Sequence, residues 1–122
     1  MDDDILFLEE TKKVLEEADY EVAICERPTE SLLAMRKYEP DCLILDLKMP
    51  LLDGRTFLPW VRRQFPDLAV VVCTGLTDFK KHELFRLGVR YFIQKPFTAE
   101  FLLSIIDCAI TEQTSLQDRK AA

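Results

Sequence analysis

Glycine is scarce, with three among 122 residues, histidine and tryptophan occur once each, and no lysine or arginine cluster runs along any expected face. No Ser/Thr/Gly-rich loop of the kind that cradles a bound phosphate follows the first strand position, which speaks against a phosphate-loop cofactor binder. A net charge of -6 and a pI near 4.8, with no basic stripe to offset them, repel a polyanion and argue against direct nucleic-acid binding. No apolar run approaches a membrane span, and the opening "MDDD" is the opposite of a signal peptide, so the chain reads as cytosolic. Cys25, Cys42, Cys73 and Cys108 lack the short spacings of a zinc site or redox pair and read as buried free thiols. The single histidine, His82, lies on an exposed, charged helical stretch and reads as solvent-facing rather than as a ligand.

What is present is a hydrophobic content of 48%, enough in 122 residues for one core and one domain. Helix-like and strand-like segments alternate. Residues 5–18 place Leu8, Thr11, Leu15 and Ala18 on one stripe; "YEVAIC" is strand-like; residues 29–37 return to helix. The apolar run "CLILD" precedes a helix over 54–64 with Trp60 and Val61 inward, and "LAVVVCT" follows Pro66-Asp67. A weaker helix around 80–87 stops at Gly88, "RYFI" is a short strand, and Thr98 caps a last helix carrying Leu102, Ile105, Ile106 and Ala109. Strands that are apolar throughout have both faces covered, which predicts an α/β fold with a parallel sheet between helix layers. Residues 1–112 form the expected domain and 113–122 a polar, frayed tail or the start of a linker.

Ligands of such sheets bind beyond the carboxyl ends of the strands. Asp46 ends one apolar run, Thr74 followed by Gly75 ends the next, and the last strand leads to Lys95-Pro96. With Asp2 and Asp3 ahead of the first helix, carboxylates, a hydroxyl and an amine converge on one rim. Taken singly these residues have plain readings: Asp46 as a turn cap, Asp4 as a helix N-cap, Asp53-Gly54 as a turn, Lys95 as a surface lysine.

In order and separation, the acidic pair, "LILDLKMPLLDG", "VVVCTG" and "YFIQKPF" resemble the receiver domain of bacterial response regulators, over nearly the whole chain to about Ile110. The resemblance implies a flavodoxin-like (βα)5 fold with parallel strand order 2-1-3-4-5. It implies that Asp46 is the phosphoacceptor, taking a phosphoryl group from a sensor histidine kinase, a phosphotransfer protein or a small acyl phosphate. It assigns Mg2+ to Asp3, Asp46 and the backbone carbonyl of Lys48, with Asp2 acting through water. Close carboxylates repel by roughly 4 kcal/mol per pair and so call for a cation or a proton, and an incomplete all-oxygen cage suits that ion. Lys95 becomes the counter-charge on a cis Lys-Pro bond, Thr74 the hydrogen-bond donor to the phosphoryl group, and Phe92 the aromatic switch residue. Phe92 also reads as plain core.

The same resemblance makes the chain a signalling domain that catalyses its own phosphorylation and dephosphorylation. It acts on an output domain or downstream protein, and a homodimer through the fourth helix, fifth strand and fifth helix is a further expectation. Lys48 and Leu76 flank the site and are expected to shape water access. One departure stands out. Receivers carry an apolar strand before the acidic pair, whereas here only Met1 precedes it, so the first strand is expected to be truncated by a downstream start. The alternatives are a natural variant completed by another segment or chain, and a receiver-like interaction module that works without phosphorylation.

Overall fold

A computed structural model describes residues 5–46, 54–74, 85–86 and 88–121. Helix α1 spans Ile5–Glu17 and buries Leu8 and Leu15, seven residues apart on one face, while Thr11 between them is half-buried. Ala18 falls outside the expected stripe because the helix has already ended. Asp19 adopts a left-handed conformation (φ 69°), the Tyr20 amide donates to the Leu15 carbonyl at 3.0 Å and the Asp19 amide to that of Glu16 at 3.0 Å. These two bonds form a Schellman stop, with Tyr20 folding back onto the core cluster that contains Leu15.

Helix α2 (Pro28–Tyr38) starts with proline in its first turn, after extended Arg27, where a missing N–H costs nothing. The Glu30 carboxylate accepts from the Glu26 amide at 3.3 Å. The helix closes on left-handed Glu39, whose amide donates to the Met35 carbonyl at 3.2 Å. Ser31 and Met35, one turn apart, are its buried positions.

Strands β1 (Cys42–Leu45), β2 (Ala69–Thr74) and β3 (Tyr91–Gln94) form a parallel sheet in the order β1-β2-β3, with Cys42 opposite Ala69 and Thr74 opposite Gln94. Alternate residues feed two cores. Leu43, Leu45, Val70 and Val72 meet Met35 of α2 and Leu58 and Val61 of α3 (Gly54–Gln64). Ala69, Val71, Cys73 and Ile93 meet Leu15 of α1 and Leu102, Ile106 and Ala109 of α4 (Ala99–Ala121). Both faces are thus occupied, which is why these runs are apolar throughout. Pro59 sits inside α3 but within two turns of its start at Gly54.

The expected strand "YEVAIC" does not form: residues 20–25 join no ladder. In the 2-1-3-4-5 arrangement that segment pairs with the first strand, and no described residues supply such a strand; β1, β2 and β3 occupy the last three places. Val22 and Cys25 still turn inward, so side-chain burial rather than ladder hydrogen bonds holds the segment. The helix expected around 80–87 lies largely outside the described residues; Phe85 and Arg86 are helical. Gly88 follows with φ +83°, its carbonyl accepting from the Arg62 guanidinium at 2.6 Å. The positive φ favours glycine, and a Cβ there would sit 3.1 Å from Arg62 Nε, close enough that the guanidinium would have to shift. All four cysteines are free; Cys25 and Cys73 are buried, but Cys42 is half-buried and Cys108 is exposed because it lies on the outer side of α4.

The stretch expected as a polar tail is helical as far as Ala121. Thr98 Oγ1 accepts from the Phe101 amide at 3.1 Å, and from that cap α4 continues past residue 112 to Ala121. Its extension is tied to the sheet: the Glu112 carboxylate accepts from the Tyr91 hydroxyl and pairs with Arg90, and Gln113 Nε2 donates to the Pro66 carbonyl at 3.4 Å. Donating to Glu112, helped by burial, pushes the Tyr91 phenol up to about 12. The same bond, with Arg90, holds the Glu112 carboxyl below its ordinary range. The phenol's contribution is whole below its ordinary 10.0 and lost as pH rises through about 12; that of the carboxylate is present above its ordinary value and lost as pH falls through the lowered one. Glu112→Gln is expected to bring Tyr91 ionisation, followed by phenolate absorbance, down toward 10.0. An unmoved titration would mean the two groups do not interact in solution. Tyr91→Phe is expected to cost about 1 kcal/mol in urea unfolding at neutral pH.

Candidate functional site at the carboxyl edge of the sheet

Parallel register brings the three strand ends to one edge. β1 stops at Leu45, opposite Val72, so Asp46 follows at the rim; β2 stops at Thr74; β3 stops at Gln94, opposite Thr74, so Lys95 follows at the same rim. Asp46 and Lys95 leave strands separated by β2, roughly 10 Å apart at the backbone given the spacing of paired strands. The four-carbon stem of lysine spans that gap, and Lys95 Nζ lies 3.2 Å from Asp46 Oδ2. The Asp46 side chain is 10% exposed and that of Lys95 23%. At such a distance the attraction is about 5 kcal/mol at an effective dielectric of 20, before desolvation is counted. The Lys95–Pro96 peptide is cis.

Two aromatic rings complete the cluster. Lys95 Nζ sits over the face of Phe7, 3.9 Å from the ring centroid, and Phe7 meets Phe97 in a T-shaped contact at 5.9 Å and 85°. Helical spacing does not mark Phe7, which lies one position off the Leu8–Leu15 stripe. The available signal was an aromatic in the first turn after "DDD", matched by a second one in "KPF".

Of the residues expected at the site, the structure brings Asp46 and Lys95 together. Thr74 is the last residue of β2, at the same edge. Phe92 is half-buried, opposite Val72, and packs against the core that contains Met35 and Leu43. Asp2, Asp3, Lys48, Asp53, Gly75, Leu76 and His82 lie outside the described residues. Among the described residues no three His, Cys, Asp or Glu side chains gather as a metal site. A nearly buried carboxylate held beside a fixed ammonium offers a nucleophilic oxygen and, next to it, a cation able to receive the charge of an incoming oxyanion.

A family model described as "Response regulator receiver domain" matches residues 1–107. The chain is 29% identical over 112 residues to chemotaxis protein CheY of Listeria monocytogenes, covering 88% of this chain and 92% of that protein. It is 36% identical over 74 residues to a probable C4-dicarboxylate response regulator of Halalkalibacterium halodurans, covering 60% of this chain and 32% of the relative. Several curated relatives are thus much longer than the match: the chain spans 32% or less of this regulator and of the NtrC and CitT transcriptional regulators of Proteus hauseri and Bacillus subtilis. A CheY-like response regulator receiver domain structure from Methanospirillum hungatei superposes with a TM-score of 0.85 at 27% identity, covering 93% of this chain and 92% of that one. No helix among the described residues is long and apolar enough to cross a membrane.

Lys95→Ala removes one partner of a carboxylate that water scarcely reaches. It is expected to cost about 1–3 kcal/mol in urea unfolding without added metal. Stability equal to that of the unaltered chain would mean that the pair does not persist in solution.

Proposed function

This chain belongs to the response regulator receiver domain family, and on that premise we propose that Asp46 is its phosphoacceptor in a two-component phosphorelay. The observation that carries the reading is the Lys95 ammonium 3.2 Å from Asp46 Oδ2 at the carboxyl edge of the sheet. An Asp46 oxygen forms a bond to phosphorus as the phosphorus–nitrogen bond of a phosphohistidine breaks. The imidazole leaves with the electron pair and takes up a proton. With a small acyl phosphate the leaving group is the carboxylate. The transition state is loose and in line, so the protein contributes position and charge rather than covalent chemistry beyond the nucleophile.

Lys95 keeps its charge at the receiving oxygens, and Thr74 donates a hydrogen bond to one of them. That bond draws the segment after β2 toward the site and lets Phe92 change its packing, a two-state switch biased by the phosphoryl group. Mg2+ fits the donor set, because Asp46, Asp3, the Lys48 carbonyl and Asp2 through water all offer oxygen. When bound, it supplies the remaining counter-charge for the phosphoryl oxygens.

The kinase or phosphotransfer protein is the donor, and an output domain or downstream protein reads the switch. A homodimer through the region of residues 80–87, β3 and α4 is one route for that readout. The receiver unit is residues 1–112, with α4 carrying the chain onward, and the setting is the cytoplasm. Catalysis is limited to the chain's own phosphorylation and dephosphorylation.

The test is intact-mass spectrometry after incubation with Mg2+ and acetyl phosphate. Gain of one phosphoryl group, lost in Asp46→Asn and in the presence of chelator, is expected. Absence of uptake would favour an interaction module that works without phosphorylation.

A further inference from the structure

We propose that Phe7 is a positioning residue that holds the Lys95 ammonium at Asp46, an inference that deepens the phosphoacceptor reading and rests on it for its catalytic consequence. Lysine carries a charge on a flexible stem, and fixing that stem in one geometry costs rotamer freedom. Asp46 cannot supply the fixing throughout a reaction, because phosphorylation converts the carboxylate that attracts the ammonium into an acyl phosphate and moves the charge onto new oxygens. The ring of Phe7 does not change during that exchange. Its negative face lies 3.9 Å from Lys95 Nζ, and the ammonium side chain is 23% exposed, so the attraction is only partly screened by water.

Phe97 meets Phe7 as a T-shaped partner at 5.9 Å and so limits rotation of the ring that Lys95 rests on. Phe97 lies two residues beyond Lys95, past the cis Lys95–Pro96 bond, so the segment that presents the ammonium also braces the ring beneath it. An uncharged face attracts the ammonium without competing as a full counter-ion. Lys95 can therefore shift from the Asp46 carboxylate to a phosphoryl oxygen without leaving the ring.

The test uses the full chain with phenylalanine at position 7 replaced by mono-, di- and trifluorinated phenylalanine, which weaken the ring face in steps at nearly constant shape. Phe7→Leu serves as the variant with no ring. Two readouts are taken. The first is the Lys95 Hε resonance, expected upfield from the ring current in the unaltered chain and shifted back in Phe7→Leu. An unshifted resonance in the unaltered chain would overturn the proposal whether or not the protein takes up phosphate. The second is the rate of Mg2+-dependent phosphorylation by acetyl phosphate. It is expected to fall stepwise with fluorination, reaching about three- to tenfold for the trifluorinated chain, with an unchanged thermal midpoint.

A flat rate across the series in a chain that is phosphorylated would reduce Phe7 to packing and overturn the proposal. Absence of uptake in the unaltered chain would remove the phosphoacceptor reading and, with it, the catalytic consequence; retention of the ring-current shift would still support the holding of Lys95 by Phe7.

Discussion

In a parallel sheet buried on both faces charge is confined to the strand ends, and the candidate site follows from that constraint. The apolar side chains of β1, β2 and β3 enter one core or the other, so a carboxylate or ammonium among them would be desolvated without a partner. Parallel register then brings all three carboxyl ends to the same rim, where Asp46 and Lys95 leave their strands on either side of β2 and meet at 3.2 Å. Neither residue requires its neighbours in sequence to find the other. The sheet does the placing, and the lysine stem covers the width of one intervening strand.

Around that pair the packing is asymmetric. On one face α1 brings Phe7 against Lys95, with Phe97, just ahead of α4, packed on that ring, so the ammonium meets a carboxylate and an aromatic ring. On the other, Phe92 lies against Met35, Leu43 and their neighbours, where a shift in its packing would be felt by α2 and α3. The clamp of Tyr91 and Arg90 on Glu112 fixes α4 to β3 farther along the same helix that contributes Leu102, Ile106 and Ala109 to the core. β3 thus carries Lys95 beyond its carboxyl end and meets α4 through Tyr91 at its other end.

Much of this was legible because the signals are local and periodic. The apolar runs around Leu43 and Val71 become strands within a residue or two, and the inward Leu102 and Ile106 and the Thr98 cap mark the start and the buried face of the last helix. The lone Asp46 and Lys95-Pro96 at run ends marked the rim. What spacing could not give was anything dependent on a partner. Residues 20–25 have strand composition, yet a strand exists only through its ladder, and no described strand pairs with them. The tail looked too polar to stay helical, but Glu112 and Gln113 find Tyr91, Arg90 and the Pro66 carbonyl, contacts more than twenty residues away in sequence. Phe7 escaped notice because its value lies in facing Lys95 across the fold. The stops at Asp19 and Glu39 escaped because left-handed positions more often filled by glycine are occupied by acidic residues.

The claim at the centre of this account is that the carboxylate paired with Lys95 is the one that becomes an acyl phosphate. Borohydride reduction of the chain after phosphorylation, followed by peptide sequencing in a mass spectrometer, tests it directly, since an aspartyl phosphate is reduced to homoserine while a free carboxylate is not. Homoserine at position 46 is the predicted result. Homoserine at another aspartate, or a phosphoryl group that resists reduction, would contradict the assignment and return Asp46 and Lys95 to the role of a structural ion pair.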